Sequence, residues 1–339
     1  MRIAVDAMGG DFAPAEIVAG AVWAARDNRA VTKLILVGNQ DAIRKELAKH
    51  KAVPSSIEVF HASETIAMDE APAQAVMKKR DSSINRMIDL VKSGEADAAV
   101  SAGNTGAVMG AAHLKLRTLE GVIRPAIAAI LPTKGRPMIL IDAGANTDAD
   151  PLLLRQFAVM GSVYSREILG QKSPVVGLLS NGGEDSKGNK LVKETFPLLA
   201  ASGLNFRGNV EGHDAFEGKT DVVVCDGFVG NVLLKTAESV AHAIGHWLKD
   251  EFTRNPIRIL GALLLKNALK SLKERMDPET YGGAPLLGIN GVCIITHGSS
   301  RAKAIYHAVR VAGDWIGHDL NKGIVEEIRK LSTDESPAP

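Results

Sequence analysis

Short glycine-rich runs that also carry Asp, Asn, Ser, Lys or His recur along the sequence. Six of them stand directly after predicted strands, at residues 6–11, 101–106, 142–146, 180–189, 226–231 and 297–300. In open α/β sheets, ligands bind beyond the carboxyl ends of the strands. Glycine lets the backbone approach a ligand, and the free amides of a helix N-terminus attract anions. We therefore expect these runs to converge on a site for a phosphate-sized anion.

The run at residues 101–106 has the clearest character of an anion site. Its two glycines leave the backbone accessible, its Asn and Thr supply polar side chains, and a helix is predicted to begin here. An ordinary helix cap would explain a single run of this kind, but six such runs at strand ends favour a site. We assign phosphate binding to Gly103, Asn104, Thr105 and Gly106.

Two side chains are candidates for the reacting centre. Lys187 is the lone cation within the six glycine runs, and a cation there would neutralise phosphate or an oxyanion. The alternative for Lys187 is a solvated loop lysine. A serine N-cap would account for Ser299 or Ser300, but it leaves the preceding His297 unexplained. We assign catalytic roles to Lys187 and His297.

Seven other polar residues of these runs are further site candidates. Pro14 fits the first position of a helix, which makes Ala13 the expected cap. Asp11 is then either a turn former or a site residue, and both interpretations stay open. The seven candidates are Asp6, Asp11, Asn146, Asp226, Asn231, Ser299 and Ser300.

The motifs predict neither a metal nor an organic cofactor. The glycines at positions 103, 106 and 110 do not match the dinucleotide fingerprint, and Gly188 is followed by Asn-Lys where a P-loop requires Lys-Ser or Lys-Thr. The run at residues 146–150 is followed by Pro151 where a calcium loop requires glycine. These departures argue against nucleotide, calcium and dehydrogenase chemistry.

Alternating strand and helix patterns cover most of the chain. They predict a three-layer αβα fold with a largely parallel sheet, over one unit at residues 1–330 or two closely joined subdomains. Between Asn231 and Met276 the alternation stops, which indicates a projecting helical hairpin within residues 231–284. Residues 331–339 are expected to form a flexible tail.

Composition narrows the class of protein. The 40 basic and 39 acidic side chains leave a net charge of +1, and aromatic residues make up 4%. Both values argue against a nucleic-acid partner. The two cysteines, Cys225 and Cys293, lie in apolar strand-like runs, which suits a reducing compartment. No stretch approaches the ~20 apolar residues of a membrane span, and Met1 leads directly into a strand. We expect a cytoplasmic protein.

The segment at residues 257–276 combines leucines at helical spacing with five basic residues and one acidic residue, a charge of +4. A dimer-packing helix, a helix on an anionic membrane surface and a dock for an acidic carrier protein all fit this pattern. We assign membrane contact to Leu263 and Leu264.

Taken in order, the glycine runs closely resemble the PlsX-type phosphate acyltransferases of bacterial phospholipid synthesis. The resemblance extends from Met1 to about Ile324, with one divergent stretch at residues 180–186. Its matching runs lie at residues 6–11, 101–106, 124–126, 141–146, 187–189, 208–212, 226–231, 281–288 and 297–300.

The resemblance implies reversible transfer of an acyl group from acyl–acyl carrier protein to inorganic phosphate. It also implies a homodimer with a fold like that of isocitrate and isopropylmalate dehydrogenases and phosphotransacetylases. The acyl phosphate would pass to a membrane glycerol-3-phosphate acyltransferase. Two alternatives stay open: a phosphotransacetylase-like enzyme that uses acyl-coenzyme A, and a non-catalytic membrane-associated scaffold.

Overall fold

The computed structural model describes residues 1–276 and 278–333, which form a mixed α/β structure around one large sheet. The strands are β1 (Arg2–Asp6), β2 (Lys33–Gly38), β3 (Ile57–His61), β4 (Ala98–Ser101), β5 (Ala126–Leu131), β6 (Met138–Ile141), β7 (Val176–Leu179), β8 (Phe206–Val210), β9 (Val222–Val224), β10 (Ala284–Leu287) and β11 (Cys293–Ile295). The helices are α1 (Ala15–Asp27), α2 (Gln40–Leu47), α3 (Pro72–Lys78), α4 (Ser83–Lys92), α5 (Thr105–Leu116), α6 (Pro151–Glu167), α7 (Lys190–Ala200), α8 (Gly212–Ala215), α9 (Gly227–Thr253), α10 (Pro256–Leu264), α11 (Lys266–Met276), α12 (Ala302–Gly317) and α13 (Leu320–Thr333).

The direction of the strands changes in the middle of the sheet. The order is β3-β2-β1-β4-β11-β10-β5-β6-β9-β7-β8. Among the described strand pairs, seven are parallel and three are antiparallel, and the antiparallel pairs are β11–β10, β10–β5 and β5–β6. Consequently β1, β4 and β11 run one way, and β6, β9 and β7 run the other way.

Helices cover both faces of the sheet. In β1, Ile3 and Val5 belong to a core cluster that includes α1 and α12, whereas Ala4 belongs to a cluster on the other face with α4 and α5. The same alternation separates Val222 and Val224 from Val223 in β9. Strands covered on both faces need apolar side chains at every position, which explains the continuous hydrophobic runs in the sequence.

Three elements differ from the sequence prediction. β10 was missed because glycines and Pro285 interrupt its short apolar run. The single helix predicted from Ile257 is two helices, because α10 ends at Leu264 and α11 begins at Lys266. Leu331, expected in the tail, lies in α13 and is buried in the core. Residues 334–339 of the predicted tail lie outside the described residues.

The region at residues 227–276 contains α9, α10 and α11, with α10 in contact with both neighbouring helices. α10 has no buried residue. The side chains of Lys273, Arg275 and Met276 lie outside the described part of the chain, and Lys273 and Arg275 belong to the predicted basic face. None of the helices described is long and apolar enough to cross a membrane.

Candidate active site

The expectation that all six glycine runs converge is wrong, because the strand reversal divides them into two groups. The loops after β1, β4 and β11 lie at one edge of the sheet, here called the β1 edge. The loops after β6, β7 and β9 lie at the opposite edge, here called the β6 edge. Each edge collects three of the six runs.

At the β1 edge, Asp6 ties the loops together. The Ser101 hydroxyl donates to Asp6 Oδ2 at 2.7 Å, and the Met8 amide donates to Asp6 Oδ1 at 3.1 Å. Asp6 is fully buried. Burial raises the pKa of its carboxyl group, and the hydrogen bonds it accepts oppose that rise. Asp6 therefore positions the loops and has no surface that a substrate could reach directly.

The β1 loop and the β4 loop touch through their backbones. A Cβ placed on Gly9 would lie 2.6 Å from the Gly103 nitrogen and 2.3 Å from Asp6 Oδ2. Only glycine permits this approach, so the choice of residue at position 9 follows from the packing. The next loop joins them, because the Asp11 amide donates to the Gly298 carbonyl oxygen at 2.8 Å.

Asn104 is occupied by structural hydrogen bonds. Its Oδ1 caps α5 by accepting from the Ala107 amide at 3.0 Å, and its Nδ2 donates to the carbonyl oxygens of Ala67, Met68 and Glu70. Asn104 is buried, whereas Thr105 is exposed. The groups left for an anion at this helix start are the amides of Thr105 and Gly106 and the Thr105 hydroxyl.

His297 has a defined tautomer. The Ser299 amide donates to His297 Nδ1 at 3.2 Å, and the Ser299 hydroxyl lies 2.7 Å from the same nitrogen. An amide can only donate, so Nδ1 is the acceptor and Nε2 carries the proton of the neutral ring. Because His297 is exposed, its Nε2–H is available to an oxygen atom of a ligand.

The sequence analysis did not select Arg301, which the structure places beside the β1 edge. Its guanidinium group lies 4.1 Å from the centre of the Phe12 ring and 3.5 Å from Glu16 Oε1. The signal in the sequence was its place directly after the His-Gly-Ser-Ser run, one residue beyond Ser300.

Two predicted caps at this edge are wrong. The N-cap of α12 is Arg301, not a serine, and the Ala302 amide is satisfied instead by Glu16 Oε2 at 2.9 Å. The N-cap of α1 is Pro14, not Ala13. At α12, the Glu16 side chain of α1 thus replaces the local serine cap that the sequence suggested. Ser300 is buried and Ser299 is exposed.

At the β6 edge, Asp142 organises the turn after β6. Its Oδ1 accepts from the amides of Ile127, Gly144 and Ala145, and its Oδ2 accepts from the amide and side chain of Asn146. Burial raises the pKa of the Asp142 carboxyl, and these donors act against the rise. Asn146 also donates to the Pro125 carbonyl oxygen at 2.8 Å. The candidate Asn146 is therefore a buried part of this turn.

The start of α9 closes against the same turn. Asp226 caps the helix by accepting from the amides of Phe228 and Val229, each at 3.0 Å. The Gly227 amide donates to the Asn146 carbonyl oxygen at 2.7 Å. Asn231 is exposed and lies against Gly144. Of the two candidates on α9, Asp226 has a structural function and Asn231 presents its side chain to solvent.

Lys187 is exposed at the β6 edge, and its side chain passes over Gly182. A cavity of about 470 Å³ lies beside this loop. Apolar side chains of β7, α6 and α7 form most of its wall, and Ser180, Asn181 and Asp226 add polar groups. The structure thus gives Lys187 a neighbouring cavity but does not bring it to the edge that carries His297.

The β1 edge therefore brings together Asp6, Asp11, Gly103, Asn104, Thr105, Gly106, His297, Ser299 and Ser300, and the β6 edge brings together Asn146, Lys187, Asp226 and Asn231. Cys225 and Cys293 lie buried in the sheet. Burial raises the pKa of Cys293 to about 12 and that of Cys225 well above its usual value, so neither thiol is activated as a nucleophile.

The architecture defines a class, the α/β proteins with the phosphotransacetylase fold. A phosphotransacetylase from Streptococcus pyogenes superposes with a TM-score of 0.58 at 17% sequence identity, over 93% of this chain and 94% of that protein. At this level of identity the similarity concerns the fold alone.

The chain belongs to the family described as fatty acid synthesis protein, whose model matches residues 1–322. A relative from Desulfitobacterium hafniense, named phosphate acyltransferase, is 51% identical over 331 residues, which is 97% of each chain. Another of that name, from Thermoanaerobacterium thermosaccharolyticum, is 48% identical over the full length of both chains. The resemblance stated from the glycine runs is confirmed.

Proposed function

We propose that this protein is an acyltransferase that moves a fatty-acyl group from acyl–acyl carrier protein to inorganic phosphate, forming acyl phosphate for phospholipid synthesis. The observation that carries this proposal is full-length identity of about one half to proteins named phosphate acyltransferase. The β1 edge supports it, because helix-start amides and a histidine N–H at one exposed place suit a phosphate anion and a thioester carbonyl.

The reaction needs little from the protein beyond placement and charge. A phosphate oxygen attacks the thioester carbonyl, a C–O bond forms, and the C–S bond breaks as the thiolate leaves and takes up a proton from solvent. Phosphate is already anionic at neutral pH, and a thiol of pKa about 8.5 is a competent leaving group. Neither buried cysteine is required as a nucleophile. Holding phosphate close to the carbonyl supplies most of the rate increase.

We assign phosphate to the start of α5, where Thr105 is exposed and the Thr105 and Gly106 amides take no part in the described hydrogen bonds. His297 Nε2–H donates to the carbonyl oxygen as negative charge develops there. Asp6 and Asn104 act by holding the β1, β4 and 67–70 segments in position. Arg301 pairs with Glu16 and so ties the loop that carries His297 to α1 at the same edge.

Lys187 can act on the same substrate as His297 only if the β6 edge also faces that substrate. We propose a homodimer in which the β6 edge of one protomer completes the β1 edge of its partner. Phe228 and Val232, 63% and 52% exposed at the start of α9, are apolar surface suited to such packing. In this arrangement Asn231 and Lys187 approach the acyl donor, whereas Asn146 and Asp226 hold the loops.

We place α9 to α11 as a helical hairpin that projects from a fold like that of isocitrate dehydrogenase, with residues 1–330 as one α/β unit. Leu263 and Leu264 are 63% and 81% exposed on α10. Leucines with flanking basic residues suit the headgroup boundary of an anionic membrane. Peripheral contact there would let a cytoplasmic enzyme pass its acyl phosphate to a membrane glycerol-3-phosphate acyltransferase.

The decisive experiment incubates purified protein with acyl–acyl carrier protein and inorganic phosphate, followed by detection of acyl phosphate with hydroxylamine and mass spectrometry. Acyl-coenzyme A in place of the carrier provides the comparison. Faster turnover with the carrier supports the proposal. Faster turnover with acyl-coenzyme A would instead favour the phosphotransacetylase-like alternative, and no product from either donor would favour the scaffold.

A further inference from the structure

A second cavity lies away from both edges, between α3, α4 and α5. Its volume is about 450 Å³. Two exposed apolar side chains flank it, Met77 at 69% and Leu114 at 59%. The remaining walls come from the buried apolar Val76 and from the polar or charged side chains of Arg80, Asp81, Asn85, Arg86, Asp89 and Lys115. The site described above uses none of these residues.

The charges around this cavity are mostly paired, with a positive remainder. Lys79 pairs with Glu70 at 2.5 Å, Arg86 with Asp81 at 2.6 Å, and Lys115 with Asp89 at 2.8 Å. With Glu64, whose carboxylate accepts from the Asp81 amide, five basic and four acidic side chains leave +1 on this face, and Lys78 and Arg80 are its exposed cations outside the described ion pairs. The face therefore attracts an acidic partner.

Asn85 adds a buried hydrogen-bond acceptor to the cavity. Its Nδ2 donates to the carbonyl oxygens of Val76 and Lys79, both at 2.9 Å, which fixes the orientation of the amide. Asn85 is 1% exposed, and its Oδ1 has no partner among the described groups. A buried acceptor without a donor is costly. Asn85 therefore places a polar side chain beneath the cavity.

Two helices connect this cavity to the β1 edge. α5 begins at Thr105 and reaches the cavity at Leu114, nine residues later, a distance of about 13 Å at 1.5 Å per residue. α3 runs beside it, and a Cβ on Gly106 would lie 2.6 Å from Pro72 Cγ, so the two helices start together. An extended arm with amide groups, comparable in length to about four extended residues, spans this distance.

We propose that this surface, formed by Met77, Lys78, Arg80, Asn85, Leu114 and Lys115, docks the acyl carrier protein. The inference rests on the proposed acyl transfer and names where its donor binds. The acidic carrier meets Lys78 and Arg80, its apolar contacts fall on Met77 and Leu114, and its amide-containing arm passes Asn85 and follows α3 and α5 to the phosphate site.

The test titrates fluorescently labelled holo-acyl carrier protein with the full-length protein and its variants. Arg80→Glu raises the dissociation constant by about tenfold or more, because a rim charge acts on an oppositely charged partner. Leu114→Gln also weakens binding, because it removes an apolar contact, and this loss does not depend on salt concentration. Lys172→Glu, an exposed charge reversal elsewhere, leaves the constant within about twofold, as expected for a charge beyond the screening distance. Thermal unfolding checks that each variant is folded.

Activity assays separate this inference from the proposed function. With acyl-pantetheine as a small donor, Arg80→Glu retains the parent rate, whereas its KM for acyl–carrier protein rises. If the parent does not bind the carrier, or if Arg80→Glu and Leu114→Gln both bind it like the parent, the docking surface is wrong. Loss of binding to anionic vesicles with unchanged carrier affinity would also overturn it, since the face would then serve a membrane. Weakened carrier binding without any acyl phosphate from the parent would support docking and refute the transfer reaction.

Discussion

At the residue scale, the surroundings of His297 and Asp6 determine what each side chain can do. His297 is exposed, and the Ser299 amide holds its Nδ1 as an acceptor. Asp6 is buried beneath the loops and accepts from Ser101 and Met8. His297 is therefore suited to donate a hydrogen bond to a substrate oxygen. Burial of the Asp6 carboxyl group costs desolvation free energy, and its hydrogen bonds hold the loops of the site in place.

Replacing His297 tests the donor assigned to the carbonyl oxygen. His297→Ala should lower kcat/KM for acyl phosphate formation by about 100-fold, the usual cost of one oxyanion donor. Stability should change by less than about 0.5 kcal/mol, because the side chain is exposed. His297→Gln, which keeps an N–H donor, should recover part of the rate. The matched control is alanine substitution of another exposed histidine, His318→Ala. Equal rates for the two alanine variants would show that His297 has no catalytic role.

The raised pKa of Asp6 predicts a specific pH dependence of stability. In the window between the ordinary aspartate pKa, about 4, and its raised folded value, the folded state binds more protons than the unfolded state. The contribution of Asp6 to stability is therefore present at low pH and is lost as pH rises through that window.

Asp6→Asn removes this titration. The melting temperature of the variant relative to the parent should rise as pH increases from about 4 towards neutrality. Parallel scans of the exposed Asp185→Asn serve as the control. A difference between Asp6→Asn and the parent that stays constant across the range would show that Asp6 is ionised in the fold without cost.

At the element scale, the sequence was most informative where strands are continuous apolar runs. β1, β4, β6 and β9 each end at or just before the start of a glycine run, as the sequence predicted. β10 was not predicted, since a four-residue strand containing Pro285 has no local signature and forms because β5 and β11 offer it partners. The break between α10 and α11 was also not predicted, because the residue at the break is Leu265 and not a glycine or proline.

The apolar face of α10 carries a prediction about membranes. Leu263→Glu with Leu264→Glu should reduce sedimentation with anionic vesicles by about tenfold, because two exposed leucines lose their entry into the headgroup boundary. Acyl phosphate formation in solution and the dimer mass should be unchanged. Val53→Glu with Leu152→Glu, two exposed apolar positions on the α/β body, is the control. Loss of the dimer in the α10 variant would make that helix an interface element instead.

At the scale of the whole molecule, the glycine runs were found from sequence but their division between two edges was not. Strand direction depends on which strands pair, and the reversal arises at the antiparallel β5–β6 pair, because β5 runs in the same direction as β11 and β6 runs in the opposite direction. Lys187 and His297 were predicted at one reacting centre, and the structure sets them at opposite edges of one sheet. That assignment stays a prediction, and it requires a shared site.

Mixing inactive subunits tests the shared site. Lys187→Ala and His297→Ala should each be nearly inactive alone. In a shared-site dimer, random reassociation of the two should restore about a quarter of the parent activity, since half of the dimers each regain one intact centre. His297→Ala mixed with Arg301→Ala, which damages the β1 edge of both protomers, should restore none. A fully active Lys187→Ala would show that the β1 edge suffices by itself.

The C-terminal part of the chain supplies the two strands at the middle of the sheet. β11 pairs with β4 and β10 pairs with β5, so the segment from Ala284 to Ile295 joins the two outer parts of the sheet. During synthesis, residues before this segment leave the ribosome first, with β4 and β5 exposing unpaired strand edges. The unpaired backbone groups of these edges can hydrogen-bond to strands of other chains and cause aggregation until β10 and β11 insert. A nascent chain of this protein is therefore most dependent on chaperone protection over its final sixth, and truncation before Ala284 should yield insoluble product.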